Sequence, residues 1–182
     1  LITYLKDYPY GCTEQLVSAA FPSVMFGADA ELGLDPKDVA RFTKRAFQAL
    51  SSRQRADGSF GLWDVHSAPD PLFSVYAVHF LLEAREHSFD IPEQVFERAM
   101  TWLRTMGETP SYDTSTQLAQ AYALYVRARS GERVTKEAEA LVADLDRQWK
   151  GAWRESAISL FLAGSFKLLQ MDGEASALLK RP

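Results

Sequence analysis

The chain has 182 residues, 47% of them hydrophobic, which is enough to bury one sizeable core and short for two, so a single domain spanning 1–182 is expected. The balance of 20 basic against 24 acidic residues leaves a formal net charge of -4, which argues against a surface for phosphate backbones or anionic lipid. Nucleic acid is therefore excluded as an expected partner, as is direct membrane insertion, since no apolar run approaches the roughly 20 residues of a bilayer span.

The first residues, Leu1 to Asp7, lack a basic leader and cleavage site, and no initiator Met precedes them. They read as the middle of a structured segment, so the chain is expected to be a piece of a larger multidomain protein. A first helix is predicted over Thr13 to Phe26, with Pro22 implying a kink or break late in it. Asp35-Pro36 and Asp70-Pro71 each pair a side-chain acceptor at an N-cap with a proline at the first helical position, where no amide is missed; Pro92-Glu93 is similar. Helix starts near 36, 71 and 92 follow. Between the first two lies Asp57-Gly58-Ser59-Phe60-Gly61-Leu62-Trp63, a structured turn in which Phe60 and Trp63 are expected to anchor the loop in the core.

Apolar residues recur at helical spacing along the rest of the chain. Val39, Phe42, Ala46, Ala49 and Leu50 form one stripe, and Phe73, Ala77, Phe80, Leu81 and Ala84 another. Later stripes run through Phe96 to Leu103, Leu118 to Tyr125, Val134 to Trp149 and Ile158 to Leu169, while the alternating charges of Glu132 to Arg147 mark a solvated face. An all-α fold is predicted. Tyr76-Ala77 and Tyr122-Ala123 stand 46 residues apart in similar helices, a spacing suited to a two-helix repeat. Stacked hairpins of this kind form either an open solenoid or a closed ring, and periodicity does not choose between them.

The chemistry concentrates in Gly11-Cys12-Thr13-Glu14-Gln15. Cys12 and Gln15 are three residues apart at the start of the first helix, so the sulfur and the side-chain carbonyl lie on one side of a turn. Gly11 permits a tight approach. Displacement of ammonia from the Gln15 amide by the thiol would give a macrocyclic thioester, a stored electrophile open to an amine, a hydroxyl or water. A water-exposed thioester would hydrolyse before meeting a target, so an apolar cover is required, and Tyr8 and Tyr10 are the local candidates. Packing at a helix approach is an equally open reading of Tyr10.

Tyr8-Pro9-Tyr10-Gly11-Cys12-Thr13-Glu14-Gln15, followed by Ala19-Ala20-Phe21-Pro22, resembles the thioester segment of the bacterial alpha-2-macroglobulins. The resemblance continues through Gln54 to Trp63, Val75-Tyr76-Ala77 to Ala84, Pro92 and Trp102-Leu103, and fades after about residue 130. It implies an α/α toroid, whole or incomplete in this chain, as in the thioester domains of complement components and their relatives. It also implies a single-use covalent protease trap rather than an enzyme: cutting of a bait elsewhere in the protein exposes the acyl group, which captures a lysine amine of the attacking protease. By this resemblance Cys12 is the thiol, Gln15 the acyl donor, Gly11 and Glu14 supporting residues, and Tyr8 the favoured shield. Other domains of the same polypeptide are implied partners, and a periplasmic site with the full-length protein tethered to the inner membrane is implied as its location. No cofactor beyond the internal thioester is expected.

Three histidines, His66, His79 and His87, invite comparison with the histidine by which some complement-type members redirect the acyl group to hydroxyls. That residue belongs to a later repeat than the one holding His66, and no histidine follows His87, so a preference for amines is expected. His66 with Asp64 and Asp70 suggests a metal site only weakly, because loop carboxylates more often cap or face solvent. Three other functions stay open. A toroidal terpene cyclase or prenyltransferase shares the Asp57-Gly58-Ser59-Phe60 turn but needs an acidic cluster or a metal triad. A cysteine hydrolase needs a histidine brought to Cys12. A helical interaction module would leave Cys12 inert.

Overall fold

The computed structural model describes residues 11–27, 34–106 and 111–180. Among these the fold is all-α: α1 (Thr13–Phe26), α2 (Pro36–Arg53), α3 (Pro71–Glu86), α4 (Glu93–Thr105), α5 (Thr114–Arg129), α6 (Thr135–Trp149), α7 (Ala157–Leu168) and α8 (Asp172–Leu179), with a short 3-10 turn at Ala152–Glu155. Two isolated antiparallel bridges, Gln54 to Phe60 and Gly61 to Pro69, pin the loop between α2 and α3. Two compact units are present, one reaching to Trp102 and the other starting at Leu103.

In the first unit α1 packs on α2 and α3. The Asp-Pro pairs act as expected: the Asp35 carboxylate accepts the Lys37 amide at 2.9 Å, and that of Asp70 accepts the Phe73 amide at 3.0 Å. Each satisfies one of the donors orphaned at a helix start, and the following proline has no donor to lose. α2 is strongly amphipathic and buries only Phe42, Thr43, Ala46 and Leu50. α3 is buried almost all round, from Ser74 and Val75 to Ala84. A helix apolar on every side has to be enclosed by its neighbours.

The second unit repeats that division of labour. α5, which carries Tyr122-Ala123, buries ten residues between Gln117 and Ala128. Its core joins Ala121, Leu124, Val134, Leu145, Trp153, Leu162 and Phe166, and α7 packs on both α5 and α8. The faint Tyr-Ala repeat thus marks the most enclosed helix of each unit, because Ala lets neighbouring helices approach closely while the aromatic fills the space beside it.

Two expectations need correction, and a third narrows: the helix predicted over Thr13 to Phe26 is present with Pro22 inside it and is not broken there. A proline within a helix forfeits one backbone bond and costs roughly 3 kcal/mol, and the burial of Val17, Ala20 and Val24 around it offsets this. Trp63 is 56% exposed, so Phe60 alone anchors the turn. Trp149 and Leu168, assigned to core stripes, are also exposed, lying at the ends of their helices.

Candidate functional site

The first turn of α1 is capped by a cysteine. Cys12 has extended backbone angles, and its sulfur accepts the Gln15 amide N–H at 3.5 Å. In return the Gln15 side-chain carbonyl accepts the Cys12 backbone N–H at 3.0 Å. This is a reciprocal capping box, with sulfur in the place usually taken by a serine or threonine oxygen. It holds the Gln15 carbonyl against the backbone of the residue whose sulfur would attack it. The Cys12 N–H is also aimed at the oxygen on which negative charge would develop during attack, the same office an oxyanion hole performs.

Glu14 completes the constellation. Its Oε2 lies 3.9 Å from the Cys12 sulfur, which donates to it, and its Oε1 accepts from Ser18 Oγ at 2.9 Å. Cys12 is buried, Glu14 half-buried and Gln15 exposed. Gly11 is buried, and a Cβ there would stand 2.9 Å from Leu16 Cγ, so the approach to the helix is close as expected. The structure thus brings Gly11, Cys12, Glu14 and Gln15 together, whereas Tyr8 and Tyr10 lie outside the described residues.

Tertiary bonds fix this turn more firmly than the cap does. The Thr13 amide donates to the Leu62 carbonyl at 2.8 Å, and its hydroxyl to the Gly61 carbonyl at 2.6 Å. Arg53, the last residue of α2, donates to the Gly11 carbonyl at 2.9 Å and to the Leu62 carbonyl at 3.3 Å. Burial lowers the pKa of the Arg53 guanidinium from its ordinary value. The guanidinium stays charged, since arginine starts so high.

The loop that receives these bonds is itself built on glycines. Gly58 has φ +97°, and a Cβ there would meet the Arg98 carbonyl oxygen at 2.4 Å; one at Gly61 would lie 1.8 Å from the Asp64 carbonyl oxygen. No side chain fits either place without moving backbone. Thr13, Ser18, Arg53 and Tyr76 were not singled out as site residues from sequence, although Ser18 sits one turn beyond Glu14 on the same face and was open to that reading.

The tempting alternatives are otherwise employed. The Asp64 carboxylate accepts the Ser67 hydroxyl at 2.9 Å and the Ser67 and His66 amides at 2.7 and 2.8 Å, and these bonds lower its pKa. Asp70 caps α3. Among the described residues no group of three or more His, Cys, Asp or Glu is placed to hold a metal ion. His79 pairs with the buried Glu83 at 3.1 Å, and His87 contacts the Glu83 carbonyl oxygen at 2.9 Å. Among the described residues the Cys12 sulfur bonds Glu14 and the Gln15 backbone N–H, and no hydrogen bond joins it to a histidine.

No family model matches the chain. An alpha-2-macroglobulin homolog of Yersinia pestis is 34% identical over 99% of the chain, and the chain spans 9% of that protein. In structure, a Salmonella alpha-2-macroglobulin solved after reaction with methylamine superposes with a TM-score of 0.81 at 24% identity, over 98% of this chain and 12% of that one. Trypsin-activated alpha-2-macroglobulin of Escherichia coli does so with a TM-score of 0.78 at 22% identity, over 94% and 12%. The two structures share the fold, and the likeness to the Yersinia protein covers nearly the whole chain, not fading after about residue 130 as the motifs alone suggest. The chain belongs to the alpha-2-macroglobulin family, of which it represents about a tenth of the full length.

Proposed function

We propose that Cys12 and Gln15 condense to an internal thioester and that this chain is the covalent capture element of a protease trap. The observation that carries the reading is the reciprocal cap, in which the Gln15 side-chain carbonyl accepts from the Cys12 backbone N–H while the Gln15 backbone N–H points at the Cys12 sulfur. Capture follows from ordinary acyl transfer. A lysine amine of the attacking protease adds to the Gln15 acyl carbon, the carbon–sulfur bond breaks, and Cys12 leaves as a thiol. One amide is made and the electrophile is spent, so the chemistry does not turn over.

The solved Salmonella relative had been reacted with methylamine, the simplest mimic of a lysine side chain, and the E. coli relative had been activated by trypsin. Both treatments are in keeping with amine capture after proteolysis. Gln15 is exposed in this chain, so the cover against water falls to Tyr8, Tyr10 and other domains of the parent polypeptide. The chemistry needs no cofactor beyond the thioester. Periplasmic placement, with the parent tethered to the inner membrane, accompanies the same reading; among the described residues no helix is long and apolar enough to cross a membrane.

Mass spectrometry of the native full-length parent tests the proposal. The expected result is a mass short by one ammonia and no free thiol at Cys12, with the thiol appearing on addition of methylamine. A full-length protein that retains the whole mass and a titratable Cys12 from the outset overturns it.

A further inference from the structure

Glu14 is held at its far end by a short chain of hydroxyls. Ser18, one turn along α1, donates to Glu14 Oε1 at 2.9 Å, and its oxygen lies 3.3 Å from the Tyr76 hydroxyl on α3. A serine hydroxyl carries one proton. The shorter contact with the carboxylate takes it, which leaves the serine oxygen to accept from the phenol. Burial raises the pKa of Tyr76 above its ordinary value, so it remains a donor. The ring is already placed by stacking on Phe21, centroids 5.3 Å apart and planes within 7°. A phenylalanine would stack there equally well, so packing does not account for the hydroxyl.

We infer that Ser18 and Tyr76 are positioning residues for the Glu14 carboxylate, which shuttles a proton while the Cys12–Gln15 thioester forms. The inference rests on the thioester reading. In the step itself, Glu14 Oε2 takes the proton from the Cys12 thiol, and the sulfur adds to the Gln15 side-chain carbonyl carbon. The carbonyl oxygen bears the charge while bonded to the Cys12 N–H. Protonated Glu14 then delivers its proton to the amide nitrogen, the carbon–nitrogen bond breaks, and ammonia departs. The carboxylate is restored, the sulfur–carbon bond remains, and no other reactant is consumed. A glutamate turns about three side-chain bonds, and the hydroxyl chain restricts it to the position in which one oxygen faces the sulfur.

The test measures how fast the bond forms. Full-length parent is made by cell-free synthesis, samples are alkylated at intervals after translation stops, and the fraction of the Cys12 segment that has lost ammonia is followed by mass. Glu14→Gln, which keeps an acceptor for Ser18, is expected to slow formation about 100-fold, the scale of general acid–base assistance. Ser18→Ala and Tyr76→Phe are each expected to slow it about 3- to 10-fold, as for one lost positioning hydrogen bond. Ser18→Thr restores the hydroxyl and should return the rate to within about twofold of the parent.

The deciding comparison is the double variant. In the Glu14→Gln background, Ser18→Ala and Tyr76→Phe should have no further effect, because they act through the carboxylate. Unchanged rates in the single variants overturn the inference, as does the same slowing with and without Glu14. The lifetime of the bond once made, expected to be unaltered in Tyr76→Phe, separates slow formation from a loosened fold. If the unaltered parent never forms the bond, the thioester reading fails and this inference falls with it; if it forms at one rate in all variants, only the inference falls.

Discussion

Two helix starts in this chain are built to the same plan from different atoms. At α1 the cap is Cys12, whose sulfur takes the amide three residues on, that of Gln15, at 3.5 Å. At α5 the cap is Asp113, whose carboxylate takes the equivalent amide, that of Thr116, at 2.8 Å and the Thr116 hydroxyl at 2.8 Å. Sulfur is the weaker acceptor, so the α1 cap gives up part of the roughly 1 kcal/mol a good cap contributes. The α5 cap is closed within its own turn, and the outside bonds there, between Gln117 and both Gln148 and Trp149, begin one residue further along the helix. The α1 start is held from outside by Arg53 and by the carbonyls of Gly61 and Leu62. On the thioester reading, the contrast teaches that a reactive atom stands where a structural one would serve better, with the stability lost there restored through tertiary bonds.

The most complete break of this comparison is Cys12→Ser. It returns a good capping oxygen to α1, so the unfolding free energy should be equal or higher by about 0.5 kcal/mol. Methylamine uptake by the full-length protein should meanwhile fall to zero. Retained uptake would mean that the electrophile lies elsewhere. A clear loss of stability would mean that the sulfur is needed for packing, as for any buried cysteine.

Removing the external support should show in stability first. Gly61→Ala puts a methyl group where the Asp64 carbonyl oxygen stands, 1.8 Å away, and the loop must shift to admit it. A cost of about 3 kcal/mol is expected, at the severe end for a single substitution. Because the shift moves the carbonyls that Thr13 uses, the rate of thioester formation should drop as well. Arg53→Met is milder, at about 2 kcal/mol, because it deprives the Gly11 and Leu62 carbonyls of a charged donor without displacing backbone. Denaturant midpoints measure both. Arg53→Lys should recover less than half of the loss, since an ammonium does not offer the planar fork that reaches two carbonyls at once. If Arg53→Met were neutral, the α1 start would be self-sufficient and the contrast with α5 would collapse.

How much of this was legible beforehand follows from sequence distance. The starts of α2 and α3 were readable because an Asp-Pro pair carries both the acceptor and the residue that needs no donor. The proximity of Cys12 and Gln15 was readable because it is one turn of helix. Arg53 and Tyr76 were not, because each reaches the site across a tertiary fold whose register depends on the packing of α1 against α2 and α3. Trp63 misled for a related reason. The bridge between Gln54 and Phe60 carries Phe60 into the core, whereas Trp63 lies past the buried stretch of the turn and stays exposed. Pro22 left two outcomes open because a proline's local cost is fixed while its consequence depends on how much apolar surface the helix buries around it.

The smallest expected effect sharpens the other half of the comparison. Hydrogen bonds from the Ser115 hydroxyl, then from the Thr116 amide and hydroxyl, lower the pKa of Asp113 from 3.8 to about 2. A carboxyl group with a folded pKa below its unfolded one contributes stability that is complete above the unfolded value and is lost as pH falls through the folded one. The Asp113 contribution should therefore be present above pH 4 and fade as pH drops toward 2. Asn caps as well as Asp does and does not titrate. Asp113→Asn should match the parent at pH 7 and lose less stability than the parent between pH 4 and 2, as read from thermal midpoints taken across that range. Parallel curves for the two proteins would mean that the α5 cap is not held by its charged form.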